Sequence, residues 1–139
     1  MGTTGPDDTS AFDAALRTGD VGNLNVIIPN DCANGHDRCA THDRVRQFDD
    51  FVAQEIPKSQ ASPALGSDGV IFITWDEGPD PRHKPGNVVT AVLGPQVRAA
   101  TIDATGHDHY GLERTLAMGF GVAPLAHARR ATAITTIWR

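Results

Sequence analysis

Two adjacent carboxylates, Asp76 and Glu77, follow directly after the apolar run at residues 70–75. Like charges held together at the end of a buried strand repel each other, and a bound cation would neutralise them. Hard cations such as Mg²⁺ and Ca²⁺ take carboxylate oxygens, and added imidazoles shift the preference towards Zn²⁺, Mn²⁺ or Fe. A second interpretation stays open here, in which the pair begins a solvated turn and Gly78 supplies a positive φ.

Two histidines lie next to acidic residues in loops that could meet this pair. His36 precedes Asp37 and His109 follows Asp108, so each carboxylate could orient a ring or raise its basicity. The alternative is a surface histidine in a polar loop, and only convergence with Asp76 and Glu77 favours a site. The remaining histidines are predicted to be solvated or to point elsewhere: His42, His83, His107 and His127.

Cys32 and Cys39 are seven positions apart in the polar loop at residues 30–40. The polarity of the loop and the lack of a C-x-x-C spacing favour a disulfide over a redox or zinc pair. Such a bridge would indicate an oxidising compartment. Two free thiols remain the alternative.

The pattern of apolar residues predicts alternating strands and helices. Strands are expected at 24–28, 70–75 and 88–93, and helices at 42–56, capped by Thr41 and stopped by Pro57, and at 110–118. The run at 70–75 does not alternate, which favours a strand buried on both faces in a mostly parallel sheet. This order predicts an α/β sandwich with a loose tail at 1–10 and one domain over 11–139.

Composition excludes several classes of protein. The 139 residues are 40% hydrophobic and 21% charged, with a net charge of −5, which is typical of a soluble globular chain. The basic residues are scattered, so nucleic acid is not expected as a partner. No apolar run approaches the length of a membrane span, and the first residues do not form a signal peptide.

Three clusters, in this order, carry a resemblance to a known family: residues 28–37 (IPNDCANGHD), 70–78 (VIFITWDEG) and 108–115 (DHYGLERT). The chain resembles the C-terminal half of the bacterial phosphoesterase family, which contains acid phosphatases and phospholipases C and belongs to the alkaline phosphatase-like superfamily. The resemblance implies a three-layer α/β/α sandwich with a mostly parallel sheet. It covers residues from about Ala11 to the end.

The resemblance also implies an activity, metal-dependent hydrolysis of phosphoric esters through a covalent intermediate on Ser or Thr. It places Asp76 and Glu77 at metal-ligand positions, for a divalent ion that could be Mg, Ca, Mn, Zn or Fe. It places His36 at a catalytic histidine and His109 at the histidine before the family's leucine-rich helix. A phosphate ester is the expected substrate, with a phosphatase favoured over a phospholipase C, in a secreted or periplasmic protein. Asn34 departs from the family, which usually has an acidic residue there.

The family's Glu-Asn metal-ligand pair and its nucleophile have no counterpart before Asn30. The chain is therefore expected to be a partial enzyme that lacks the N-terminal half. Two alternatives remain: a non-catalytic fragment or degenerate homologue that keeps the fold and binds metal or phosphate, and a plain metal-binding or partner-binding α/β module.

Overall fold

The computed structural model describes residues 9–39, 41–78 and 86–139. Its helices are α1 (Ser10–Thr18), α2 (Arg44–Ala61) and α3 (His109–Gly119), its strands are β1 (Ile71–Ile73) and β2 (Ala91–Leu93), and a 3₁₀ helix spans Ala126–Arg130. They belong to two compact units, 1–69 and 70–139. The single domain over 11–139 stays a prediction. Of the predicted tail, only Thr9 and Ser10 are described, and Ser10 begins α1.

Helices α1 and α2 pack together in the first unit through a charged cluster and a buried hydroxyl. The Lys58 ammonium lies 3.0 Å from Asp13 and 2.9 Å from Glu55. The hydrogen bond to Glu55, ahead of that to Asp13, raises the pKa of Lys58. The Ser62 hydroxyl donates to the Leu16 carbonyl at 2.6 Å. These bonds fix the end of α2 against the buried side of α1.

Helix α2 differs from the predicted helix at both ends. It begins at Arg44 because Asp43, rather than Thr41, caps it, and the Asp43 carboxylate accepts two backbone N–H groups of the first turn. Pro57 lies inside the helix, which continues to residue 61. A proline removes one backbone hydrogen bond, but the ion pairs of Lys58 stabilise the turn that follows it.

The predicted three-layer α/β/α sandwich with a mostly parallel sheet is wrong for the described residues. The sheet has two strands, β1 and β2, and they are antiparallel, with Phe72 opposite Val92. Parallel neighbours need a crossover connection, usually a helix, and no helix lies in the described parts of the connection between β1 and β2. An uninterrupted apolar run does not reveal the direction of its neighbour, and the β1 residues are only half-buried.

The predicted strand at 24–28 is also wrong. Within the described chain, residues 25–28 have no regular secondary structure and pair with no strand. Val26 and Ile28 are 76% and 84% exposed, so their apolar side chains do not join a core. The local pattern of this segment is typical of a strand, but strand formation needs a partner edge, and the described residues supply none.

The core of the second unit lies between α3 and the C-terminal segment 131–139. Thr115 is buried in α3, where its hydroxyl donates to the Gly111 carbonyl at 2.7 Å and accepts the Ile134 N–H at 2.8 Å. The Trp138 ring contacts Phe72 of β1 edge-on, with ring centroids 6.4 Å apart. The predicted helix at 110–118 is confirmed within one residue at each end, and it holds this unit together.

No helix in the described parts of the chain combines the length and apolar character that crossing a membrane requires.

Candidate functional site

The acidic pair lies on an exposed bend that begins three residues after the end of β1. Asp76 and Glu77 are both exposed, and one Asp76 carboxylate oxygen accepts the Glu77 backbone N–H at 3.0 Å. Before them, the Thr74 hydroxyl lies 2.9 Å from the Thr90 hydroxyl, which extends the contact between the two strand segments. Both side chains are exposed, and carboxylate oxygens are ligands that hard cations take.

His109 lies beside the acidic pair. Its Nε2 is 2.7 Å from the Asp76 carbonyl oxygen. A carbonyl oxygen only accepts, so Nε2 is the donor of this hydrogen bond. This contact brings the first residue of α3 close to the end of the strand segment. Asp108 does not orient the ring, because its carboxylate caps α3 by accepting the Gly111 N–H at 2.8 Å.

His36 belongs to the first unit, where Asp37 binds its ring. His36 Nδ1 lies 2.8 Å from a carboxylate oxygen of Asp37. This hydrogen bond, followed by the negative charges of Asp37 and Asp31, raises the pKa of His36. Both side chains are well exposed, at 76% and 57%, so the ring can meet a ligand from solvent. Asp37 therefore orients the ring, as its position next to His36 allows, while the ring itself is on the surface.

The loop that carries His36 is tied by a disulfide and by one glutamine. Cys32 and Cys39 are bonded, with their Cα atoms 5.7 Å apart. The Gln47 side chain of α2 accepts the Cys39 N–H at 2.8 Å and donates to the Cys32 carbonyl at 3.0 Å and the Asp37 carbonyl at 2.9 Å. Sequence reasoning missed Gln47, because a polar residue on a helix surface carries no local pattern that marks it as a loop clamp.

Asn34 contributes to the geometry of the same loop. Its side-chain oxygen accepts the His36 N–H at 2.7 Å, and its side-chain nitrogen lies 3.3 Å from an Asp31 carboxylate oxygen. The Asn34 amide is therefore a neutral group that bonds to residues on both sides of it. The amide positions Asp31 and His36 next to each other without adding repulsion.

Ligand atoms of Asp31, His36 and Asp37 all lie within 4.8 Å of one another, close enough to hold one metal ion. All three side chains are exposed. Among the described residues, Asp76 and Glu77 do not join a third histidine, cysteine or acidic side chain in such a group. Sequence reasoning identified His36 and Asp37 here, but not Asp31.

The predicted site residues fall into two groups, each positioned by contacts within its own unit. Asp76, Glu77 and His109 come together in the second unit, and His36 lies with Asp31 and Asp37 in the first. His83 lies outside the described residues. The disulfide beside His36 is compatible with an extracellular compartment. Comparison with known proteins found no family model, no curated protein and no solved structure that matches the chain.

Proposed function

We propose that this chain contributes to the metal-dependent hydrolysis of phosphoric esters, with a phosphatase favoured over a phospholipase C. The observation that carries the proposal is the contact between His109 Nε2 and the Asp76 carbonyl oxygen. It joins two of the three clusters on which the resemblance rests. In the proposal, the chain supplies metal-ligand carboxylates and histidines but not the nucleophile, and it acts outside the cytoplasm, which the disulfide supports.

The chemistry of the donors fits a divalent cation. Asp76 and Glu77 offer exposed carboxylate oxygens, which suit hard cations. When bound there, a cation would offset the charge that develops on the oxygens of a phosphoryl group. His109 binds the strand end through the hydrogen bond from Nε2 to the Asp76 carbonyl. His36 offers a ring nitrogen that can hydrogen-bond to a phosphate oxygen.

Calorimetric titration of the chain with inorganic phosphate, with and without Mn²⁺, tests this proposal. Phosphate should bind in the presence of the metal, and the heat should disappear in an Asp76→Asn, Glu77→Gln double variant, which keeps the shape of both side chains but removes their charge. Phosphate binding that is unchanged in the double variant would refute the proposed role of the pair. A p-nitrophenyl phosphate assay on the chain should show little turnover, because the proposal assigns the nucleophile to none of its residues.

A second candidate function is metal binding without turnover, and the group Asp31, His36 and Asp37 favours it. One imidazole and two carboxylates suit Zn²⁺ or Mn²⁺. In this case, an Asp31→Asn, Asp37→Asn double variant should lose the metal, while the Asp76→Asn, Glu77→Gln variant should keep it. The two double variants therefore separate the two candidates in one titration series.

A further inference from the structure

Helix α3 ends in a turn that carries large apolar side chains on the surface of the second unit. We call residues 118–125 the apolar turn. Four of its side chains are between 47% and 70% exposed: Met118, Phe120, Val122 and Leu125. Exposed apolar residues scattered singly over a surface are ordinary, but a group of them with polar residues at its rim marks an interaction site.

The backbone of the apolar turn is fixed by hydrogen bonds to the last residues of α3. The Val122 N–H donates to the Ala117 carbonyl at 2.9 Å, and the Gly121 N–H donates to the Met118 carbonyl at 3.1 Å. These two bonds form a Schellman motif, which needs a left-handed residue just after the helix, and Gly121 supplies it with a φ of 66°. The exposed apolar side chains therefore belong to an ordered turn.

Arginines from the neighbouring 3₁₀ helix lie beside the apolar turn. The Arg129 side chain donates through Nε to the Pro124 carbonyl of the turn at 3.1 Å, and the exposed Arg130 follows it in the chain. Residues 114–139 contain four arginines and no Asp or Glu, although the whole chain has a net charge of −5. The apolar turn is therefore part of a locally cationic stretch in an acidic protein.

The outer side of the apolar turn is open. A Cβ built on Gly119 or on Gly121 would meet no atom of the described residues within 4 Å. The Glu113 carboxylate also bonds to the turn, but it is half-buried and accepts the Leu125 N–H at 3.1 Å. Peptide partners are usually held in a groove or along a strand edge, whereas an open apolar turn beside cationic groups suits shallow insertion into a lipid layer.

We propose that the apolar turn and the arginines beside it bind the surface of an anionic lipid bilayer. The apolar side chains enter the region below the headgroups, and Arg129 and Arg130 contact the lipid phosphates. Charge favours this partner over a second copy of the chain, because a two-fold contact through the same surface would bring like charges together. The surface includes none of the residues assigned to metal or phosphate, so it stands or fails independently of the proposed function.

Co-sedimentation of the chain at low salt with vesicles of phosphatidylcholine, with and without phosphatidylglycerol, tests the proposal. The chain should bind the mixed vesicles about 25-fold more tightly, because each of the two arginines contributes about fivefold near an anionic surface. Arg130→Gln should weaken this binding about fivefold. Arg17→Gln, which removes the same charge at an exposed position of the first unit, should leave it unchanged. No binding, or equal binding to both kinds of vesicle, would overturn the proposal.

A Val122→Ser, Leu125→Ser double variant tests the apolar contribution in the same assay. Binding to the mixed vesicles should fall about tenfold or more, because two apolar side chains no longer leave water. The matched control is a Leu24→Ser, Val45→Ser variant, which makes the same two exchanges at exposed positions of the first unit and should bind like the wild type. Unchanged binding of the Val122→Ser, Leu125→Ser variant would overturn the proposal.

Circular dichroism of each variant shows whether it folds. If the Val122→Ser, Leu125→Ser variant does not fold, the comparison of Arg130→Gln with Arg17→Gln still decides the question. Sedimentation velocity without vesicles tests the other partner. A wild-type dimer that the Val122→Ser, Leu125→Ser variant abolishes would assign the apolar turn to a second copy of the chain and overturn the lipid proposal.

Discussion

Replacement of Thr115 by Val tests how α3 is fixed to the C-terminal segment. Val keeps the shape of the side chain but removes the hydroxyl that accepts the Ile134 N–H at 2.8 Å. Thr115 is only 8% exposed, so water cannot replace the lost acceptor. A buried donor left without a partner costs about 1–3 kcal/mol, and we expect the variant to be destabilised by that amount.

Thr115→Ser is the matched control. Ser keeps the hydroxyl and both of its hydrogen bonds but loses one methyl group, which costs about 0.8 kcal/mol when buried. The assay is urea unfolding followed by the fluorescence of the two tryptophans of this unit, Trp75 and Trp138. Trp138 contacts Phe72 and donates to the Ile134 carbonyl at 2.8 Å. The midpoint should fall further for Val than for Ser at the same slope. A Ser variant that is as destabilised as Val, or more so, would refute the argument from hydrogen bonding.

Two further predictions concern a close backbone contact and a charged pair. Gly111→Ala should destabilise the chain, because the added methyl group would overpack against the Thr132 carbonyl, which costs about 1–3 kcal/mol. This cost exceeds the gain in helix propensity, which is at most about 1 kcal/mol. Gly119→Ala in the same helix is the control: its methyl group would meet nothing within 4 Å, so thermal melts should show a neutral or stabilising effect. Asp37→Asn should lower the pKa of His36 in an NMR titration of the metal-free chain, since the Asp37 carboxylate is the main cause of its elevation. The His36–Asp37 pair therefore stabilises the loop fully at pH values below the ordinary pKa of histidine. This contribution is lost as the pH rises through the raised pKa of His36. An unchanged His36 titration in the variant would contradict this.

Helices were the part of the fold that the sequence predicted best, because their evidence is local. The apolar spacing of residues 110–118 located α3, and that of 42–56 located most of α2. The ends of α2 were wrong for two reasons. Asp43 competes with Thr41 as the cap, and Pro57 is tolerated inside the helix.

The sheet could not be predicted in the same way, since strand pairing depends on residues far apart in the chain. The apolar run at 70–75 contains a strand, but nothing in it specifies an antiparallel partner at Ala91–Leu93. The apolar segment at 24–28 has the composition of a strand and no partner among the described residues. A local pattern indicates what a segment could form, whereas its neighbours decide whether it does.

In the candidate sites, too, contacts between sequence neighbours could be predicted, whereas contacts between distant residues could not. The bond between His36 and Asp37 joins adjacent residues and was visible in the sequence. The contact of His109 with Asp76 joins residues 33 positions apart, and the sequence left open whether their loops meet. Three other polar residues contact partners that loops and turns bring close to them: Asp31, Gln47 and Asp103. Residue type alone did not distinguish these three from other polar surface residues.

The most direct test of the central claim is the thermal unfolding midpoint with and without saturating Mn²⁺. A ligand that binds only the folded chain at 100 times its dissociation constant stabilises it by about 2.7 kcal/mol. Such a gain corresponds to an increase of several degrees in a chain of this size. The account predicts this increase in the wild type and in an Asp31→Asn, Asp37→Asn variant, and none in an Asp76→Asn, Glu77→Gln variant. A full metal-dependent increase in the Asp76→Asn, Glu77→Gln variant would contradict it.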